Sequence, residues 1–219
     1  MPGDGPKAPD PNCWTGSLIE EQARSEAPFF LQLSHYPLHI PIECRGTERE
    51  RFERKRPGWK DHYPDYAAMI ADTDQSLGKI LRTVDQLGLR DNTYIVYLSD
   101  NGGNACDHVS LTNRCLPLRK GKQFPHEGGI RVPLVVTGPG VEKNGVCSEP
   151  VIAYGLLPTF LDLADYRDAP SNIDGISLHP ALERPNPSLH RAIEPRPMSN
   201  VLGRAEDFFV WHVPYRMPG

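Results

Sequence analysis

Hydrophobic and polar positions fall into short blocks along the chain, and the period of each block predicts an element. Pro28-Phe-Phe-Leu-Gln-Leu-Ser34 is apolar with partial alternation, which predicts a buried strand leading into a loop, Ser34 to Ile42, that presents His35 and His39. Residues Glu43 to Lys60 are densely charged and read as a solvated excursion. Tyr66, Met69, Ile70, Leu77, Ile80, Leu81, Val84 and Leu87 then recur at helical spacing, the strongest helix signal in the chain. Asp65 suits the positive end of that helix and Gly88 its terminus. Thr93 to Ser99 is β-branched and aromatic and stops at Asp100-Asn-Gly-Gly103, which predicts a strand feeding a tight turn. Ile130 to Thr137 predicts another strand, closed by Gly138-Pro-Gly140, and Tyr154 to Leu163 a further helix. Residues 174–178 suggest a short element and 207–212 a late strand. The order of strands and helices favours an α/β sheet covered by helices, with 29–33, 94–98 and 132–136 sharing the sheet and the long helix packed on it.

Composition narrows this picture without changing it. The 219 residues are 38% hydrophobic and 24% charged, enough for one sizeable core. The 23 prolines and 19 glycines require many irregular connections. A net charge of −4 supplies no basic field for nucleic acid or an anionic membrane, and no apolar run is long enough for a membrane span. The five cysteines, Cys13, Cys44, Cys106, Cys115 and Cys147, lack C-x-x-C spacing, so neither a zinc site nor a dithiol motif is indicated. Residues 1–11 lack the charged start and apolar stretch of a secretory signal, and an abrupt start in Pro-rich sequence fits a truncation as well as a natural terminus.

Ligand sites in open α/β sheets gather beyond the carboxyl ends of strands, and two such ends carry chemistry here. One presents His35 and His39. The other presents Asp100 and Asn101, whose carboxylate and amide oxygens are the hard donors that calcium or magnesium prefers, although the same four residues also suit a plain hydrophilic turn. A third cluster, Pro117-Leu-Arg-Lys-Gly-Lys122 followed by Glu127-Gly-Gly-Ile-Arg-Val-Pro133, sets cations beside glycines. Lys122 can act there as a point charge on sulfate or phosphate, or the segment is a solvated basic loop. The paired glycines fit a turn that sets the next strand, with Glu127 and Arg131 as a structural ion pair.

Taken in order, PFFLQLSHYPLHIPI, YAAMIADTDQSLGKILRTVDQLGLRDNTYIVYLSDNGG, PLRKGKQFPHEGGIRVPLVVTGPG, LLPTFLDLAD and DGISLHPAL resemble the downstream two thirds of type I sulfatases of the alkaline-phosphatase superfamily. The resemblance implies an α/β fold, a mixed sheet flanked by helices, incomplete at its amino-terminal side. It divides the chain into a polar leader with part of a helix (1–27), the downstream part of the sulfatase α/β domain (28–165) and a Pro-rich extension (166–219). By resemblance, Asp100 and Asn101 match the metal-binding Asp-Asn pair, where calcium is the usual ion. Lys122 matches the lysine that contacts the substrate sulfate, and His39 the histidine that contacts sulfate or assists departure of the alcohol, so both are catalytic and substrate-binding candidates. His35 ranks below His39. The implied reaction is hydrolysis of a sulfate ester, on a sulfated small molecule or glycan, by a hydrated formylglycine made from a cysteine or serine. A phosphoric-ester hydrolase of the same superfamily and a noncatalytic remnant of the fold are the rival readings.

The family's upstream Asp-Asp ligands, its nucleophile motif with arginine, and a middle lysine and histidine have no counterpart here, so the isolated chain is expected to be inactive. Cys115-Leu-Pro-Leu-Arg119 formally reads C-x-P-x-R, the formylglycine pattern, but lies downstream of the metal pair and is read as an accidental match. Gly155 stands where family members often carry an acidic residue, a departure expected to bear on packing. The family's usual setting is periplasmic, secreted or lysosomal.

Overall fold

A computed structural model of the chain describes residues 11–25, 27–57, 63–103, 115–168, 170 and 172–183. They form two compact units, one within Met1–Thr93 and Asp100–Val132, the other within Tyr94–Ser99 and Pro133–Gly219.

The first unit is built around a long helix. Helices α1 (Pro11–Ser25) and α2 (Gly46–Glu53) both pack on α3 (Pro64–Gln86). Helix α3 forms where the periodicity predicted it. Pro64 occupies its first turn, where a missing N–H costs nothing, and Asp65 lies beside the positive end of the dipole. At the other end Gly88 adopts φ 68°, the Leu89 N–H reaches Val84 O and the Gly88 N–H reaches Asp85 O. This is the left-handed stop that glycine permits. Just beyond, the Arg90 guanidinium donates to both Asp85 oxygens at 2.6 and 2.8 Å and holds that carboxyl below its usual range, chiefly through the hydrogen bond. Ala68, Met69, Ser76 and Val84 form the buried stripe of α3, with Thr15 and Ile19 of α1 also buried.

Two expectations for this unit are corrected. Residues 43–60 contain a helix, α2, inside what reads as an excursion. Its sequence GTERERFE has no apolar face and none of its residues is buried. Charge holds it instead: Arg45 pairs with Asp72 and donates to Gln75 Oε1 at 2.7 Å, Gln75 donates to Glu48, and Arg49 Nε reaches Asp65 at 2.9 Å. Residues 28–34 form no strand, so 29–33 share no sheet with the other two runs. The sheet of the described residues contains only two other strands, and Phe30 is 70% exposed. Alternating apolar residues offer a face to bury, but a strand also requires a neighbouring backbone to complete its ladder.

The second unit holds that sheet, β1 (Ile95–Leu98) and β2 (Leu134–Thr137), antiparallel with Ile95 opposite Thr137 and Leu98 opposite Leu134. A 3-10 turn, Ala153–Gly155, runs into α5 (Leu156–Leu163), and α6 (His179–Glu183) packs on α5. Segment 175–178 lies directly over this turn. A Cβ at Gly155 would stand 2.8 Å from Ile176 O, and one at Gly175 1.9 Å from Tyr154 O. The departure at Gly155 is therefore a packing requirement. The late strand read at 207–212 lies outside the described residues.

Met69 joins two parts of the first unit, because its buried sulfur also accepts the Leu38 N–H at 3.3 Å. Met69→Ala is expected to cost about 2–5 kcal/mol of stability in urea unfolding, from lost burial and the cavity left behind.

Candidate functional site

The turn after β1 and the basic loop are joined backbone to backbone. The Lys122 N–H donates to Gly103 O at 2.9 Å, and the Gly102 N–H to Gly129 O at 2.9 Å. Within the loop, the Gly128 N–H reaches Arg119 O at 3.0 Å and the Phe124 N–H reaches Gly121 O at 3.1 Å. Glycine makes this approach feasible. A Cβ on Gly102 would lie 1.7 Å from Gly128 O, one on Gly128 2.1 Å from Lys120 O, and one on Gly129 2.0 Å from Phe124 O. The paired glycines do not form the expected strand-setting turn. They lie within α4 (Glu127–Ile130), a single helical turn, and form its buried contact surface.

Asp100 is exposed, and Asn101 and Lys122 are half-buried. The structure thus brings the segment bearing Lys122 to the turn that carries Asp100 and Asn101. Glu127 and Arg131 do pair, at 3.4 Å, but their side chains are 59% and 70% exposed. Such a pair contributes at most about 1 kcal/mol. Lys120 and Gln123, which flank Lys122, hold φ of 61° and 78°. That left-handed backbone is costly for residues with a Cβ and is sustained by the surrounding bonds.

His39 sits on a separate loop with its own hydrogen bonds. Its N–H donates to Tyr36 O at 3.3 Å, and its Nδ1 lies 2.9 Å from Ile40 O, which also accepts the Tyr36 hydroxyl at 2.6 Å. With Nδ1–H donating to that carbonyl, Nε2 is the nitrogen left to face solvent or substrate. Leu38, the residue before it, holds φ 75°. His39 and His35 are both exposed, and the bonds of His39 stay inside its loop.

Two features were not anticipated from the sequence. His126, at the entry to α4, buries Nδ1 without a hydrogen-bond partner among the described residues, its ring 6.3 Å from Phe124. Its position next to Glu127-Gly-Gly129 was the available clue. Cys115 Sγ lies 3.6 Å from Gly103 O, against the same turn. A second half-buried thiol, Cys44, is pushed above its ordinary value, first by burial and then by Asp65, so it stays protonated and a poor nucleophile.

The family model described as Sulfatase matches residues 12–166. The chain belongs to the sulfatase family. It is 37% identical over 113 residues to the extracellular sulfatase SULF-1 homolog of Drosophila melanogaster, covering 52% of this chain and 9% of that protein. To arylsulfatase K of Bos taurus it is 36% identical over 116 residues, covering 53% of this chain and 20% of that one. The crystal structure of Ps i-CgsB in complex with k-i-k-neocarrahexaose superposes with a TM-score of 0.68 at 29% identity, over 78% of this chain and 37% of that one. The α/β fold is therefore the alkaline-phosphatase-like sulfatase fold, and the chain spans well under half the length of these relatives.

Sulfatases are sulfuric ester hydrolases, and this membership gives the Asp100 turn a metal to be tested against. An Asp carboxylate beside an Asn amide oxygen suits calcium in chemistry. The number of donors does not suffice, since no three His, Cys, Asp or Glu side chains among the described residues are grouped to hold an ion. No described helix is long and apolar enough to cross a membrane.

Gly102→Ala is expected to cost about 1–3 kcal/mol, because two backbones must part to admit the methyl. Gly46→Ala, where a Cβ meets nothing within 4 Å, is the control and should stay within about 1 kcal/mol of the parent. Urea unfolding of both variants measures the difference.

Proposed function

We propose that this chain is the part of a sulfatase catalytic domain that binds the sulfate group, and that the complete protein hydrolyses sulfate esters of glycans. The observation that carries this reading is the backbone union of the Asp100–Gly103 turn with the loop of Lys122. It holds two hard oxygen donors and one cation on a common frame. Residues 28–165 are the sulfatase portion in this proposal, and 166–219 an extension. The k-i-k-neocarrahexaose in the complex of a similar structure supports a glycan substrate. Exposed apolar residues such as Phe30 and Val135 support a larger domain that covers them.

Each residue has a distinct task in this scheme. Asp100 and Asn101 would supply two of the oxygen donors to a divalent cation, calcium by family habit, with further ligands from elsewhere in the complete protein. A divalent ion held there would supply positive charge to the sulfate oxygens. Lys122 places an ammonium on the same oxygens, where negative charge grows as the ester bond breaks. His39, through Nε2, is positioned in this proposal to give a proton to the departing alcohol. A formylglycine in the complete protein would supply the nucleophile, and Cys115 is in this proposal a structural thiol against Gly103.

The test is hydrolysis of a sulfated oligosaccharide by the full-length protein, with the matching phosphate ester as comparison. Asp100→Ala and Lys122→Ala should each lower kcat/KM about 100- to 1,000-fold, as removal of one transition-state donor does. The 219 residues alone should show little turnover, unchanged by Cys115→Ala. Full activity in either site variant, or preference for the phosphate ester, would refute the assignment.

A further inference from the structure

Residues Tyr36 to His39 close a turn, with the His39 N–H donating to Tyr36 O at 3.3 Å. Pro37 stands second in it and Leu38 third, at φ 75°. This is the pattern of a type II turn, whose third position favours glycine because a positive φ presses a Cβ against the backbone. Leucine holds that position here, so bonds around the turn must offset the strain. Those inside it are local: the Tyr36 hydroxyl and His39 Nδ1 both reach Ile40 O, at 2.6 and 2.9 Å. They shape the loop without fixing where it sits. Among the described residues, one hydrogen bond leads from 35–42 to another element, from the Leu38 N–H to Met69 Sδ on α3 at 3.3 Å.

We propose that Met69 is a positioning residue for His39: its thioether fixes the Leu38 amide and, through that strained residue, the place and direction of the next one. The proposal rests on the reading of His39 as proton donor to the departing alcohol. Met69 is 3% exposed, so its sulfur is shielded from water that would compete for the amide. It stands beside fully buried Ala68 in the longest helix, and its carbonyl accepts the Thr73 hydroxyl at 3.0 Å, so the scaffold holds its backbone. A thioether is a weak acceptor, and its part here comes from placement in the core rather than from the strength of one bond.

Met69→Leu separates the bond from the packing, because it nearly keeps volume and apolarity and deletes the acceptor. Hydrogen exchange in the unmutated chain gives the first answer. The amides of His35 and Tyr36 make no hydrogen bond among the described residues. After correction for intrinsic exchange, the Leu38 amide should exchange at least about fivefold more slowly than these two, and Met69→Leu should abolish the difference. Equal rates in the unmutated chain, or protection retained in Met69→Leu, would overturn the anchor. In the full-length protein, Met69→Leu should lower kcat on a sulfated oligosaccharide about tenfold with KM little changed, since a misplaced proton donor is felt in the transition state. In a His39→Ala background the same substitution should change kcat less than about twofold. A merely structural role would lower kcat by the same factor in both backgrounds, and that result would sink the proposal. Parent activity in His39→Ala would instead defeat the proton-donor reading, and exchange at Leu38 still decides whether Met69 holds the loop.

Discussion

Contact between bare backbones at Gly102, Gly128 and Gly129 is the constraint on which the candidate site depends. Each of these glycines meets a carbonyl oxygen at a distance no Cβ tolerates. The reward is a direct hydrogen-bonded seam between the Asp100 turn and the Lys122 loop. Side chains held in this way inherit the rigidity of the main chain. A lysine on a free loop would have to spend conformational entropy to meet an oxyanion, whereas a seam of amide bonds fixes its Cα in advance. The left-handed residues on either side of Lys122 fit the same account, since such strain persists only where surrounding bonds over-determine the backbone.

Electrostatics takes different forms in the first unit. Helix α2 is held to α3 by cross-element pairs rather than by burial, with Arg45 and Arg49 reaching Asp72 and Asp65. These pairs are part-exposed, so each contributes little, and their number on a short helix is what matters. His39 is supported differently again, by a carbonyl acceptor within its loop and by its neighbour Leu38, whose N–H donates to the Met69 sulfur on α3. The conformation of one candidate residue thus rests on glycine packing and that of another on a methionine buried in the long helix.

Legibility in the sequence followed the range of the interactions. Helix α3, the strands β1 and β2, and helix α5 were visible because period and end signals are local; Gly88 even marked the terminating residue. Helix α2 was missed because its stabilising partners lie on another element, outside any window of GTERERFE. The run 28–34 looked like a strand because alternation reports a face and says nothing about a ladder partner. At the site, Asp100, Asn101 and Lys122 were legible as polar residues beyond strand ends, but the seam joining their segments was not. Glycines advertise that something comes close, never what it is.

The central claim is that Asp100 and Lys122 serve the same sulfate group from one frame. A double-mutant cycle on kcat/KM in the full-length protein tests this most directly, with Asp100→Ala, Lys122→Ala and the pair assayed on one sulfated oligosaccharide. Groups that stabilise one developing charge are non-additive, so the double variant should lose much less activity than the product of the two single losses. Strictly multiplicative losses would mean that the two residues act independently, and would contradict the account.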